Sequence, residues 1–417
     1  MAQIDDLLHK MAELFASDLH LTSNKKPHVR IDGQIQALED WPALAPSDLR
    51  EMLFEITPKD NIEEFERDND TDFAYELAEA GRFRGNLFMD RYGPGGVFRL
   101  IPDEILTLEQ LGMPEAVRRL CYLSKGLVVV TGPTGSGKST TLAGMVDHIN
   151  KNRKEHIITI EDPIEFVHQN MECIINQREV HRHTNSFKRA LRAALREDPD
   201  IILVGEMRDL ETVEIALETA ETGHLVLGTL HTTTAASTVD RIVDQFSADR
   251  QSQIRVMLAN SLKGVVAQTL CRRKEKGRVA ALEIMVGNTA VSANIREGKT
   301  HQLVSAIQMG RKDGMTLLND SLCALVKNGV VEAEEAFLKA VHKDDLLNRL
   351  KAAGINYNGH TEEAIPSPAP SSAPAPSPKA AVPQPRPATP SSPSSAGGGG
   401  ASYVDPFDKF KSKKRPY

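Results

Sequence analysis

The 417-residue chain is poor in aromatic side chains (5%, with a single tryptophan) and holds only four cysteines, Cys121, Cys173, Cys271 and Cys323. Cysteines so widely spaced build neither a zinc knuckle nor a dense disulfide framework. They read as reduced, mostly buried thiols of a cytosolic protein. No run of about 18 apolar residues occurs anywhere. The opening segment MAQIDDLLHKMAELF is acidic and amphipathic, without the basic and long apolar regions of a signal peptide. The expectation is a protein neither secreted nor membrane-spanning. A basic excess is missing too: 50 Lys and Arg stand against 57 Asp and Glu, a net charge of -7, which argues against a protein whose main task is to coat nucleic acid.

What is present is the composition of a soluble globular protein, 40% apolar and 26% charged. The length suits two or three domains of about 150 residues each. Residues 1–102 alternate short amphipathic helices with the strand-like LHLTS, HVRIDGQIQAL and RFRGNLFMDRYGPGGVFRLI, and Asp32-Gly33 marks a hairpin turn. This predicts a small α+β domain. Residues 103–117 read as a linker. From 118 to 357 buried strands alternate with helices, which implies βαβ units and a mainly parallel sheet: α/β, with mostly helical sequence after LVLGTL. Leu142, Met145, Val146 and Ile149 mark one apolar helix face, and Phe187, Leu191, Ala194 and Leu195 another. LETVEIALETAETG is a third helix, ended by Gly223. Residues 358–417 are rich in Pro, Ser, Ala and Gly and predict a disordered tail.

The stretch GPTGSGKST, residues 132–140, matches G-x-x-x-x-G-K-[ST] between a strand and a helix, the context that a phosphate-binding loop requires. Gly132, Pro133, Thr134, Gly135, Ser136 and Gly137 would curl backbone N-H groups around phosphate oxygens, assisted by the helix N-terminus. Lys138 would reach the β- and γ-phosphates, Ser139 would ligate Mg²⁺ and Thr140 would bond the α-phosphate of ATP. Beyond the apolar strand IILVG, Glu206 lies where open α/β sheets bind ligands, and predicts a residue that polarises the attacking water. EDPIE, residues 161–165, also follows a strand; Glu161, Asp162 and Glu165 are either metal or water contacts or the solvated carboxylates of a turn.

His224 and His231 bracket LVLGTL. Side chains alternate along a strand, so an odd separation sends the two rings to opposite faces about 23 Å apart. They cannot share a metal. At the carboxyl end, His231 is a candidate γ-phosphate sensor; at the amino end, His224 reads as a structural or subunit-interface residue. The bland alternative is two satisfied core or helix-end histidines.

SDLHL (17–21), GPTGSGKST, ITIEDPIEF (158–166), LREDPDIILVGEMRD (195–209) and TGHLVLGTLHT (222–232) together resemble the secretion ATPases of type IV pili, in their retraction branch. The likeness runs from residue 1 to about 357. It implies a PAS-like N-terminal domain, a RecA-like ATPase domain and a hexameric ring with nucleotide between the two domains of a subunit. By position, GPTGSGKST is the Walker A motif, EDPIE the Asp box with Glu165 as its functional carboxylate, VGE the Walker B motif with Glu206 as catalytic base, and TGHLVLGTLHT the His box. The segment RFRGNLFMDRYGPGGVFR resembles the one that brings arginines to the phosphates on closure, with Arg82, Arg84, Arg91 and Arg99 as candidates; solvated edge-strand charges are the alternative.

Extension motors of the family carry a four-cysteine zinc insert, whereas QTLCRRKEKGRVAALEI has only Cys271, so no zinc is expected. The retraction segment AIRNLIRE is represented by AVSANIRE, residues 290–297: Arg296 and Glu297 are retained, while Ser292, Ala293 and Asn294 depart. The resemblance implies pilus retraction and twitching motility, at the cytoplasmic face of the inner membrane. A platform protein (PilC-like) and a second PilU-like or PilB-like ATPase are the partners implied. An accessory paralogue or an ATP-binding regulatory scaffold are the rival readings. A DNA-translocating motor is disfavoured by the acidic charge and by the lack of an aromatic-basic patch. The terminal VDPFDKFKSKKRPY alternates aromatics with basic residues and is either a docking segment or a solvated terminus.

Overall fold

The computed structural model describes residues 2–357 apart from 32, 33, 79, 102 and 103. The expected Asp32-Gly33 turn, the linker's first residue and the tail 358–417 lie outside the described residues.

The N-terminal part runs α1 (Asp5–Glu13), β1 (Asp18–Thr22), β2 (His28–Ile31), β3 (Gln34–Ala37), α2 (Pro46–Ile56), α3 (Lys59–Asp68), β4 (Asp70–Leu77), β5 (Gly81–Asp90) and β6 (Gly93–Ile101). The strands form one antiparallel sheet in the order β3-β2-β1-β6-β5-β4. β4 carries the period-2 signal of a half-buried strand, with Thr71 and Phe73 buried and Asp70, Asp72 and Glu76 exposed, though its acids leave it without the apolar run that marks the other strands. The period-2 pattern of RFRGNLF sends Phe83 and Leu87 into a core with Phe98, Leu19 and the apolar faces of the helices. Gly85 is needed there: a Cβ would come within 2.8 Å of the Phe98 ring. The opposite face carries Arg84 directly across from Arg99, which in turn faces Asp18.

The second part begins with α4 (Glu115–Leu120), β7 (Gly126–Thr131), α5 (Lys138–Asn152), β8 (His156–Glu161), β9 (Ile174–Glu179), α6 (Phe187–Ala194), β10 (Ile201–Val204), α7 (Leu210–Thr222) and β11 (Leu225–Leu230). It continues with α8 (Ala235–Asp244), α9 (Ala248–Ser261), β12 (Leu262–Arg272), β13 (Arg278–Val286), α10 (Thr289–Arg296), α11 (Leu303–Met309), α12 (Leu318–Lys327), α13 (Ala333–Lys339) and α14 (Lys343–Ala352). The sheet order is β13-β12-β7-β11-β10-β8-β9, parallel throughout except for the antiparallel β13. β7 and β11 are buried along their whole lengths, as continuous apolar strands covered on both faces must be. One apolar layer packs α6 to α9 on the sheet; the other packs α4 and the Leu142, Met145, Val146, Ile149 face of α5. Local signals set the helix ends: Ser186 and Asp209 accept N-cap bonds from Arg189 and Thr212, and Gly223 at φ +132° stops α7.

The stretch after β11 differs from the mostly helical expectation. The hairpin β12–β13 extends the sheet before the helices resume, because VVAQTLC is an apolar run whose length suits a strand or a buried helix equally well. In α10, Val291 and Ile295 are buried, while the departing Ser292, Ala293 and Asn294 occupy half-buried positions. Cys121, Cys173, Cys271 and Cys323 are free thiols, the first three buried.

Candidate active site

The carboxyl ends of β7, β8, β10 and β11 lie side by side, and each delivers one of the sequence motifs. Directly after β7 the chain turns through Gly132 (φ +147°), Gly135 (φ +75°) and Gly137 (φ +87°) before entering α5. These backbone angles are open to glycine and costly for other residues, and they curl the loop. Pro133, Thr134 and Gly135 are exposed, Ser136 is buried, and Ser139 and Thr140 are half-buried in the first turn of α5. Lys138 bends back over the loop, its Nζ donating to the carbonyls of Gly132 (3.0 Å) and Pro133 (3.2 Å). Burial pulls its ammonium below the ordinary lysine value, against the opposing pull of Glu206 and Glu165.

Glu206 follows β10 by two residues. Its backbone surroundings are pinned from the neighbouring strand, where Thr229 Oγ1 donates to Gly205 O at 2.5 Å and Met207 N donates to Thr229 O at 3.1 Å. Glu206 Oε1 stands 2.7 Å from Arg208 Nε and 3.0 Å from His231 Nε2. Burial raises the Glu206 pKa, but Arg208, His231 and Lys138 outweigh it, and the carboxyl sits below its ordinary value. It is an anion that can orient water and stabilise a neighbouring imidazolium. Thr229 and Arg208 were not legible as site residues; only the arginine's place two residues past the acid hinted at it.

β8 ends at Glu161, whose carboxyl accepts from Thr159 Oγ1 (2.6 Å) and Gln177 Nε2 (3.1 Å). Burial pushes it up to about 7. Asp162 is exposed, and Glu165 is half-buried close enough to influence both Lys138 and Glu161. His224 lies at the other end of β11, where its carbonyl accepts from Gly126 N (3.0 Å) and its Nδ1 is 3.3 Å from Thr219 O, joining the strand start to α7.

The arginines of the antiparallel sheet are engaged by acids. Arg82 Nη2 reaches Glu179 Oε2 at the end of β9 (3.5 Å), Arg84 pairs with Asp72 (3.5 Å) and Arg99 with Asp18 (2.8 Å). Arg91 stacks over the Tyr92 ring, 4.3 Å from its centroid. Glu179 also accepts from Ile164 N at 3.0 Å, so Arg82 is anchored next to the segment carrying Glu165.

A glycine-rich loop between strand and helix, with an acid past the neighbouring strand and a histidine on the next, defines a P-loop ATPase of RecA-like architecture. The chain belongs to the Type II/IV secretion system protein family, whose profile matches residues 1–338. It is 51% identical over 337 residues to the "Type IV pilus retractation ATPase PilT" of Pseudomonas aeruginosa, spanning 81% of this chain and 98% of that one. It is 46% identical over 321 residues to a "Twitching motility protein" of Neisseria gonorrhoeae, 77% of this chain and 86% of the other. A crystal structure of the pilus retraction motor PilT with bound ADP superposes with a TM-score of 0.78 at 45% identity, covering 84% of this chain and 100% of that chain.

Proposed function

We propose that the chain is the subunit of a hexameric motor that couples ATP hydrolysis to type IV pilus retraction and so to twitching motility. The observation that carries the reading is the Glu206 carboxylate held between His231 and Arg208 beside Lys138, in a chain half identical to a pilus retraction ATPase.

In this reading the loop from Gly132 to Thr140 and Lys138 take the phosphates of ATP, releasing the lysine from the carbonyls it now holds. Glu206 orients the attacking water, and His231 reports the γ-phosphate to it through their contact. Among the described residues no group of three or more His, Cys, Asp or Glu side chains is assembled for a metal. That suits Mg²⁺, which keeps its waters and takes one or two protein oxygens with the substrate's phosphates. Ser139 and Glu165 are the oxygens that would hold it, and when bound it neutralises phosphate charge. On closure Arg82, Arg84 and Arg99 exchange their acids for phosphate, in the same subunit or a neighbour. His224, at the far end of β11, serves the strand's attachment to α7 or a subunit contact.

The ring would act on an inner-membrane platform protein (PilC-like), with a PilU-like or PilB-like ATPase beside it, at the cytoplasmic face of that membrane. Among the described residues no helix is long and apolar enough to cross it. The test is to delete the gene, count surface pili and score twitching. Abundant pili with lost motility support retraction; loss of pili would make the chain an extension motor. In the purified protein, Glu206→Ala keeps ATP binding and loses turnover; persisting turnover would refute the assignment of Glu206.

A further inference from the structure

Gln268 is a polar residue inside the apolar run VVAQTLC, and it is only 3% exposed. β12 pairs in parallel with β7 as far as Ala267 opposite Thr131, so Gln268 is the first residue beyond that pairing and lies against the glycine-rich loop. Its amide makes two buried bonds. Nε2 donates to the carbonyl of Ser136 at 2.7 Å, and Oε1 accepts from Thr141 Oγ1 at 2.9 Å. Ser136 is in the middle of the loop and Thr141 in the first turn of α5. The loop's two ends meet the same residue: a Cβ on Gly132 would lie 2.3 Å from the Gln268 carbonyl oxygen, and one on Gly137 would lie 3.2 Å from Nε2.

A phosphate-binding loop turns its N-H groups inward to the anion and so turns carbonyls toward the protein, where each buried one needs a donor. Gln268 supplies that donor for Ser136. A primary amide can donate to the loop from its nitrogen and accept from the helix at its oxygen at the same time. We propose that Gln268 is a positioning residue for nucleotide binding: it holds the loop in its phosphate-accepting shape before the di- or triphosphate arrives, and makes that shape depend on the β12–β13 hairpin. The proposal rests on the reading of residues 132–140 as the nucleotide site.

Three variants separate the contributions. Gln268→Leu removes both bonds at similar size. Gln268→Glu keeps the acceptor for Thr141 and sets an oxygen against the Ser136 carbonyl. Thr141→Val removes the helix bond alone. Fluorescent ADP titration, ATPase kinetics and nucleotide-free melting are read on the full chain. Loss of preorganisation is expected to raise the ADP Kd and the KM for ATP about tenfold in both Gln268 variants. kcat at saturation should stay within about twofold, and Thr141→Val should shift Kd less than about threefold, since the loop bond survives. A merely structural glutamine would instead lower the melting temperature and kcat with the folded fraction and leave KM and Kd unchanged; that outcome overturns the proposal. If the leucine variant fails to fold, the glutamate variant decides by the same readings. Failure of the parent protein to bind ADP would refute the nucleotide site itself, a distinct result from unchanged Kd in folded Gln268 variants.

Discussion

Nε2 of His231 stands 3.0 Å from Oε1 of Glu206, the same carboxylate oxygen that Arg208 Nε holds at 2.7 Å. One acid therefore gathers three parts of the chain: the end of β10, the loop after it and the end of β11. Its two partners differ in permanence, since a guanidinium keeps its charge and an imidazole does not.

That difference predicts a pH effect. In the role proposed for it Glu206 acts as an anion, and its pKa is lowered because Arg208, His231 and Lys138 together outweigh the upward push of burial. The acid limb of kcat should fall below the ordinary carboxylate value in the parent. With Arg208→Ala the push of burial gains, the pKa rises, and the acid limb moves to higher pH. An unmoved limb in steady-state ATPase profiles would mean that Glu206 does not govern it.

Glu161 gives the opposite sign. Burial raises its carboxyl to about 7 from an ordinary value of 4.5. A carboxyl whose folded pKa is raised favours the fold below about 4.5 and loses that contribution as pH climbs to about 7. Glu161→Gln keeps an oxygen for Thr159 and Gln177 without the charge. It should match the parent at pH 4.5 and be more stable by roughly 1–3 kcal/mol at pH 8, from about 1.4 kcal/mol per pKa unit. Urea denaturation at the two pH values checks it; an equal difference at both would exclude the linkage.

Glu179 is 3% exposed and joins Arg82 of the antiparallel sheet to Ile164 N within the EDPIE segment. Removing one charge of a buried pair leaves the other uncompensated. Glu179→Gln should destabilise by about 3 kcal/mol, Arg82→Ala by less, because Arg182 Nη1 still reaches Glu179 Oε1 at 3.6 Å, and the double variant by clearly less than their sum. Additive losses in chemical denaturation would mean that the two residues act separately.

The loop glycines are not equivalent. At Gly132 a Cβ would meet the Gln268 carbonyl at 2.3 Å, whereas at Gly135 nothing lies within 4 Å. Gly135→Ala bears only the conformational strain of its φ of +75°, on the order of 1–2 kcal/mol. Gly132→Ala adds a backbone collision that forces the loop from β12. ADP titration should show a loss of roughly tenfold for Gly135→Ala and at least about a hundredfold for Gly132→Ala. Equal losses would place the strain, not the collision, in control.

The sequence by itself determined what depends on near neighbours along the chain. The strand-loop-helix around GPTGSGKST, the acid after IILVG, the polarity of LVLGTL and the Gly223 stop of α7 are set by residue type within one strand or turn, and these elements lie in the structure where the patterns place them. The β12–β13 hairpin was hidden because an uninterrupted apolar run does not distinguish strand from helix without a neighbouring strand. Only the tertiary structure decided which charges meet. His231 with Glu206 and Gln268 with Ser136 are choices made by sheet order, which sets β11 beside β10 and β12 beside β7, while Arg82 with Glu179 joins two different sheets. A single polar letter in an apolar run carries no record of its partner, since a hydrogen bond is specified by distance and direction between residues that chain spacing leaves free.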